Sequence, residues 1–249
     1  MHSPLRSTIP VETLLLAYRS GIFPMADKRE DQDIFWVEPR DRAILPLDGF
    51  HLSKSLRKIV RSDRYRVTIA TAFEDVVHAC AAPRPGHPET WISERIIRSY
   101  ADLHAAGHAH SIECWRSGEG ESGKPELVGG RYGVSFDRVF CGESMFSRAD
   151  NASKVALTWL VALMRLARYR TLDCQFMTDH LASMGAIEMP QRMYMKTLER
   201  ARGRPRMALP AAYAAFVKET DQSCSEEASE GAGASSPGKR IAQSFTHTS

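Results

Sequence analysis

Apolar residues along this chain follow two periods, one helical and one alternating, that succeed each other from end to end. Val11 to Ser20 repeats at helical spacing, with Leu14, Leu15 and Tyr18 on one face, and Gly21 and Pro24 stop it. Ile34–Trp36 and Ala43–Leu45 read as short strands around a proline-containing turn. Leu52, Leu56, Ile59 and Val60 return to helical spacing and predict a helix over Ser53–Arg61. A strand at Tyr65–Ala70 follows, then a helix face marked by Phe73, Val76, Val77 and Cys80, and a loop at 83–88. Ser93 is the expected N-cap of a helix carrying Ile96, Ile97, Tyr100 and Leu103, closed by Gly107. Strands are predicted at Ser111–Trp115, Leu127–Val134 and Val139–Met145, and Asn151 opens a long helix to about Arg168. A strand at Thr171–Phe176, a helix after Thr178 ended by Gly185 and a last helix after Pro190 complete the pattern.

Helices alternating with a run of central strands indicate an α/β or α+β fold, a sheet with helices on its faces. A boundary near Gly49 separates a small N-terminal domain, residues 1–50, from a larger one, residues 51–220. Residues 221–249 are rich in Ser, Glu, Gly and Ala, with Ile241 and Phe245 as their only large apolar side chains. Such a composition does not offset chain entropy and predicts a disordered tail.

At 43% hydrophobic and 25% charged residues, the 249-residue chain has enough apolar surface for a real core. No apolar run approaches the ~20 residues that span a bilayer, and residues 1–10 hold no apolar stretch of signal-peptide length. The expected location is the cytoplasm. Five scattered cysteines without a CxxC pair argue against a disulfide framework and a structural zinc site. The net charge of +3 announces no polyanion by itself, but its distribution is uneven. Lys54, Arg57, Lys58, Arg61, Arg64 and Arg66 face one acid, Asp63; Arg192, Lys196, Arg200, Arg202, Arg204 and Arg206 face only Glu199. One such cluster is usually a solvated helix face; two raise the odds of a phosphate-bearing partner.

Phosphate-loop, GxGxxG, HExxH and GxSxG signatures are absent. His104, His108 and His110 are split by Gly107 and lack a fourth ligand at matching spacing, so no metal is expected. Cys141 or Cys174 with His180 is a conceivable thiol and base, although buried strand cysteines are the commoner outcome. The unusual feature is polarity inside apolar strands. Glu143 lies in Phe140–Phe146, and Asp173 and Gln175 lie two apart, on one face of a strand. Buried charge is costly unless paired or functional, and Asp173 has a purely structural alternative in a pair with Arg148 or Lys154.

These stretches resemble the leucyl/phenylalanyl-tRNA–protein transferases. The likeness runs from about Ile9 to Leu198 through Tyr18–Pro24, Trp36, Pro39–Arg42, Phe50–Arg57, Thr90–Ile92, Gly107–Glu113, Gly129–Gly133, Phe140–Lys154 and Leu172–Gln175. The tail and a loop at Ser117–Lys124 lie outside it, and Met25 stands where the family's pattern has an aromatic residue. The resemblance implies a small N-terminal domain joined to a GNAT-type acyltransferase domain with a central mixed sheet. A coenzyme A pyrophosphate loop of the [QR]xxGx[GA] kind is missing, as suits an aminoacyl-tRNA donor.

The implied reaction moves Leu or Phe, with Met a further candidate, from tRNA to the N-terminal α-amine of a protein beginning with Arg or Lys, marking it for N-degron degradation. The donor ester is already activated, so neither cofactor nor metal is expected. The amine, with a reference pKa of about 8, needs positioning and management of charge, for which an ordinary Asp of pKa about 4 is a poor base. Asp173 and Gln175 are therefore the expected catalytic pair, Asp173 acting as an electrostatic and hydrogen-bond partner. Glu143, beside Ser144, is expected to take the acceptor's cationic side chain. Phe140, Met145, Leu157, Leu160 and Leu172 are candidate walls of the donor pocket, and Trp36 and Trp91 candidate contacts for the terminal adenosine and pocket mouth. Lys54, Arg57, Lys58 and Arg61 are the expected tRNA contacts. The rival readings are a coenzyme A-dependent N-acetyltransferase and a non-catalytic module for tRNA ends.

Overall fold

The structure, a computed structural model, describes residues 8–31, 33–83, 89–118, 123–229 and 236–246. The predicted loops at 83–88 and 117–124, the first residues of the chain and parts of the predicted tail lie wholly or partly outside these.

The chain opens with helix α1 (Val11–Arg19) and the short strands β1 (Phe23–Met25), β2 (Phe35–Val37) and β3 (Asp41–Leu45). Helix α2 (Lys54–Arg61), strand β4 (Arg66–Ile69) and helices α3 (Phe73–Ala81) and α4 (Glu94–Ala105) follow. Three long strands come next: β5 (Ala109–Arg116), β6 (Glu126–Phe136) and β7 (Val139–Ser147). Helix α5 (Ala152–Leu166) leads to β8 (Thr171–Gln175), α6 (Asp179–Ala182), β9 (Ile187–Pro190) and α7 (Gln191–Arg200). Two further helices, α8 (Leu209–Ser229) and α9 (Pro237–Gln243), end the described chain.

Strands β1 and β2 form a small antiparallel pair, whereas seven strands form the main sheet in the order β4-β5-β6-β7-β8-β3-β9. Every neighbour in that sheet is antiparallel except β7 and β8. A parallel pair needs a crossover, and α5 supplies it. The fold is thus α+β, with helices on both faces of a mixed sheet and a small N-terminal unit. β3, from the first fifty residues, is inserted between β8 and β9.

Two apolar layers follow. On one face α5 buries Leu157, Leu160 and Leu163 completely and carries Trp159 against Tyr213 and Phe216 of α8. On the other, Leu14 and Tyr18 of α1, Val76 of α3 and Ile96, Tyr100 and Leu103 of α4 are fully buried. Two predicted caps differ in detail. Ser93 stands at the N-cap of α4 without a side-chain cap bond. Asn151 precedes α5 in the left-handed region at φ 62°, and Ser147 Oγ instead accepts from the Ser153 amide at 3.3 Å.

The tail is the clear departure from expectation. Helix α8 continues to Ser229, and α9 is seated with Ile241 and Ala242 each 1% exposed. Gly238 makes the docking possible, since a Cβ there would overlap the Val60 carbonyl, and its amide donates to Asp63 at 2.7 Å. Arg57 donates to the Ala242 carbonyl, and Phe245 lies 5.2 Å from Phe50 and 4.6 Å from the Arg165 guanidinium. A few apolar groups order a polar segment when a fitted surface awaits them, which composition cannot reveal.

Candidate active site

The parallel pair β7–β8 holds for three residues only, ending at Cys141 opposite Asp173. Beyond that point each strand turns away for a local reason. On β7, Gly142 pairs with Gly133 and Ser144 with Tyr132, so Glu143 is the extra residue of a β-bulge. On β8, Gln175 adopts φ 62°, a left-handed conformation uncommon outside glycine. The Gln175 amide donates to Asp173 Oδ1 at 2.8 Å and so fixes that turn. The divergence aims both polar side chains at one place, and Gln175 Nε2 donates to Glu143 Oε2 at 3.1 Å.

Asp173 is fully buried, and its partner is neither Arg148 nor Lys154. Arg42 of β3, also fully buried, grips it with Nε at 2.9 Å from Oδ1 and Nη2 at 2.6 Å from Oδ2. Tyr194 and Cys141 also donate to Oδ2, at 2.7 and 3.0 Å. Arg148 is exposed, donates to the Leu127 carbonyl and lies over the Phe146 ring. Burial would push the Arg42 guanidinium down, but Asp173 and Tyr194 hold it above its ordinary value.

Glu143 accepts from Tyr18 at 2.8 Å and Tyr100 at 2.9 Å, and those two hydroxyls also bond each other. Burial pushes its carboxyl up to about 7, against the opposing pull of the Tyr18, Tyr100 and Gln175 donors. Two acidic side chains thus stand at the split between β7 and β8, one neutralised by Arg42 and one poised near neutrality. Beside Gly142 stands a group of opposite charge. Arg131 of β6 is 5% exposed, its Nε and Nη1 have no hydrogen-bond partner among the described residues, and Gly142 leaves room for the guanidinium. Burial lowers its pKa.

Other expected residues divide into near and far. Phe140, Leu157, Leu160 and Leu172 are fully buried in one cluster between the sheet and α5. Ser144 and Met145 are half-buried, and Met145 faces a cleft of about 400 Å3 with Cys80, Phe146, Arg148 and Ser153. Trp36 is 40% exposed on β2 opposite Pro24, while the carbonyl of half-buried Trp91 accepts from the Ala26 amide at 3.3 Å. Pro24 of β1 and Ala26 just after it therefore tie the two tryptophans to one short segment. Lys54, Lys58 and Arg61 are exposed on α2, whereas Arg57 is half-buried and holds α9.

A thiol mechanism does not fit this geometry. Burial pushes Cys174 up to about 12, and Cys141 is held well above its ordinary value by burial and then by Asp173. His104 and His108 contact the carbonyls of Ala109 and Ser135, and His110 is pushed down to about 4 by burial. Sequence reasoning missed Arg42, Tyr18, Tyr100 and Tyr194. Tyr18 and Arg42 lie inside the resembling stretches, but periodicity marks Tyr18 and Tyr100 only as inward residues and leaves Arg42 unmarked.

Residues 44–199 match the model of the leucyl/phenylalanyl-tRNA protein transferase family, and residues 7–40 that of its N-terminal domain. A leucyl/phenylalanyl-tRNA–protein transferase of Novosphingobium aromaticivorans is 52% identical over 97% of both chains. The transferase of Rhizorhabdus wittichii is 56% identical over 78% of this chain and 76% of its own. That of Zymomonas mobilis is 52% identical over 79% and 71%.

Proposed function

The chain belongs to the leucyl/phenylalanyl-tRNA–protein transferase family, and from that premise we propose that it moves Leu or Phe from aminoacyl-tRNA to the α-amine of proteins beginning with Arg or Lys. The observation that carries the reading is the junction of Asp173, Gln175 and Glu143 where β7 and β8 diverge. Marking for N-degron degradation in the cytoplasm is the accompanying biological role. Among the described residues no helix is long and apolar enough to cross a membrane.

The reaction is aminolysis of an ester. The amine nitrogen attacks the aminoacyl carbonyl, the C–N bond forms, and the ester C–O bond breaks to release the tRNA hydroxyl. Gln175 contacts the amine: its Nε2 is tied to Glu143, which leaves Oε1 as the acceptor for an amine N–H. Asp173 has its oxygens occupied and its charge paired with Arg42, so it works through Gln175, whose turn it fixes by accepting from the Gln175 amide. Glu143 receives the acceptor's cationic side chain. A second role is favoured by its carboxyl near 7, which is far better matched to an amine of pKa about 8 than an ordinary carboxylate is. Met145 and the core residues Phe140, Leu157, Leu160 and Leu172 supply the apolar wall for the donor side chain. Trp36 and Trp91 supply aromatic surface for the terminal base, a contact worth ~1–3 kcal/mol.

The test is incubation of the protein with Leu- or Phe-tRNA, acetyl-CoA and an Arg-initiated peptide. A peptide lengthened by Leu or Phe is the expected product; an acetylated peptide, or none, overturns the reading.

A further inference from the structure

At the other end of β8 from Gln175, a cleft of about 620 Å3 opens around Thr171. Arg138 from the β6–β7 turn, Arg165 from the end of α5, Arg168 and Arg170 from the α5–β8 connection, and Arg204 after α7 line it, against a single lining acid, Asp48. Two of these arginines serve the fold. Arg138 donates to carbonyls of Arg200, Ala201 and Arg202 at the end of α7, and Arg165 to those of Leu47 and Ser244. Arg168, Arg170 and Arg204 are exposed and have no side-chain partner among the described residues.

Gathering unpaired guanidinium groups in one concavity raises the energy of the folded state and serves no contact within it. A cleft lined by one sign of charge focuses its field outward, and the guanidinium fork matches phosphate oxygens. Arginines from four separate segments suit a succession of phosphates better than a single anion. The cleft is linked through the chain to a second group of exposed cations. Arg165 ties its rim to Leu47, just ahead of α2, and α2 carries exposed Lys54, Lys58 and Arg61. Tyr65, shortly after α2, donates to the Asp150 carbonyl at the start of α5, the end of α5 that follows the β7 split.

We propose that this arginine cleft is a second phosphate-binding surface, which engages the sugar–phosphate backbone of the body of the same tRNA whose acceptor end reaches Gln175. The inference rests on the aminoacyl-transfer reading. The experiment uses the full chain, with Arg170→Glu and Arg204→Glu combined and a milder Arg170→Gln/Arg204→Gln pair. Transfer is measured from Phe-tRNA and from phenylalanyl-adenosine, which lacks the tRNA body. Charge reversal raises the KM for Phe-tRNA tenfold or more, the glutamine pair raises it less, and the rate from the short donor stays unchanged. The dependence of log affinity for tRNA on log salt becomes shallower by roughly 0.7–0.9 for each phosphate that the cleft no longer neutralises. An unchanged KM and salt slope for Phe-tRNA, or an equal loss with both donors, overturns the proposal. Wild-type protein that transfers from neither donor overturns the transferase reading instead. Inorganic phosphate and polyglutamate serve as competitors: binding of either that depends on Arg170 and Arg204, with tRNA affinity unaffected by the substitutions, reassigns the cleft to a free anion or an acidic protein.

Discussion

Arg42 and Asp173 stand 131 residues apart in sequence and meet as a fully buried, two-pronged ion pair. The guanidinium also donates to the Gly21 carbonyl and lies between the rings of Phe23 and Tyr194, at 4.8 and 4.5 Å from their centroids. Desolvating two charges is expensive, and only such complete satisfaction makes the pair tolerable.

Removing one partner should therefore cost more than the pair is worth. Arg42→Met leaves Asp173 buried and uncompensated, with an expected loss of about 3–5 kcal/mol in urea unfolding. Arg42→Lys keeps the charge but loses the fork and should fall between the two. Wild-type stability in Arg42→Met would show that the pair is not the anchor of this site.

For Asp173→Asn two effects are expected: a loss of stability, because Arg42 is left buried without its counter-ion, and a loss of rate in the protein that remains folded. The carboxylate that accepts from the Gln175 amide and fixes its turn is lost, and removing one preorganised group of this kind costs ~10²–10³ in turnover. Gln175→Leu should lower turnover to a similar extent, with donor affinity retained in both variants. Single-turnover transfer from Phe-tRNA, with tRNA binding measured separately, makes the check. A near-normal rate in folded Asp173→Asn reduces Asp173 to a scaffold role.

Glu143 predicts a pH dependence of known sign. Its folded carboxyl sits near 7 instead of 4.5, so the folded state holds the proton more tightly than the unfolded chain. This contribution to stability is fully present below about pH 4.5 and is lost as pH rises through 7, by roughly 3 kcal/mol at 1.36 kcal/mol per unit. Thermal unfolding should show Glu143→Gln gaining on wild type between pH 5 and pH 8. In kinetics, a rise confined to the acceptor KM supports the cation-binding role, whereas loss of the limb near pH 7 in kcat/KM supports proton transfer.

On α2, Lys54, Lys58 and Arg61 are free to meet phosphate, while Arg57 is engaged with α9. Reversing the first three should weaken Leu- and Phe-tRNA binding equally and flatten the salt dependence. Filter binding over a salt series that shows no change removes α2 from the interface. Arg57→Glu should lower stability as well as affinity.

The seating of α9 makes a stability prediction opposite to the one composition suggests. Ile241→Ala removes a side chain that is 1% exposed and should cost ~2–5 kcal/mol. Deleting residues 237–249 should lower the melting temperature clearly; an unaltered melting curve would show that α9 adds nothing.

Much of this architecture was legible because local pattern and local structure agree. Leu14, Leu15 and Tyr18 face inward from α1 as their spacing requires, and Leu56 and Val60 do so from α2. Glu143, Asp173 and Gln175 stood out as polar groups within apolar strands, and all three meet at the β7–β8 split. What the pattern hid is whatever depends on distant neighbours. Nothing near Arg42 in sequence marks it as buried, because its burial is made acceptable by Asp173 and Tyr194. Strand β9 was missed because Ile187–Pro190 is a mostly exposed edge with no alternation. The tail was misjudged because Gly238 and Ile241 acquire meaning only against Val60 and Asp63.

The position of β3 has a consequence in time. Its residues, 41–45, leave the ribosome early, yet their sheet neighbours are residues 171–175 and 187–190. Synthesis at about 5–20 residues per second leaves a delay of several seconds before either neighbour exists. Throughout that interval Arg42 has no counter-ion from Asp173, and β3 offers two open edges. The sheet is closed, and the reaction centre assembled, by the last strands made, so a nascent chain that ends before residue 171 lacks the completed centre.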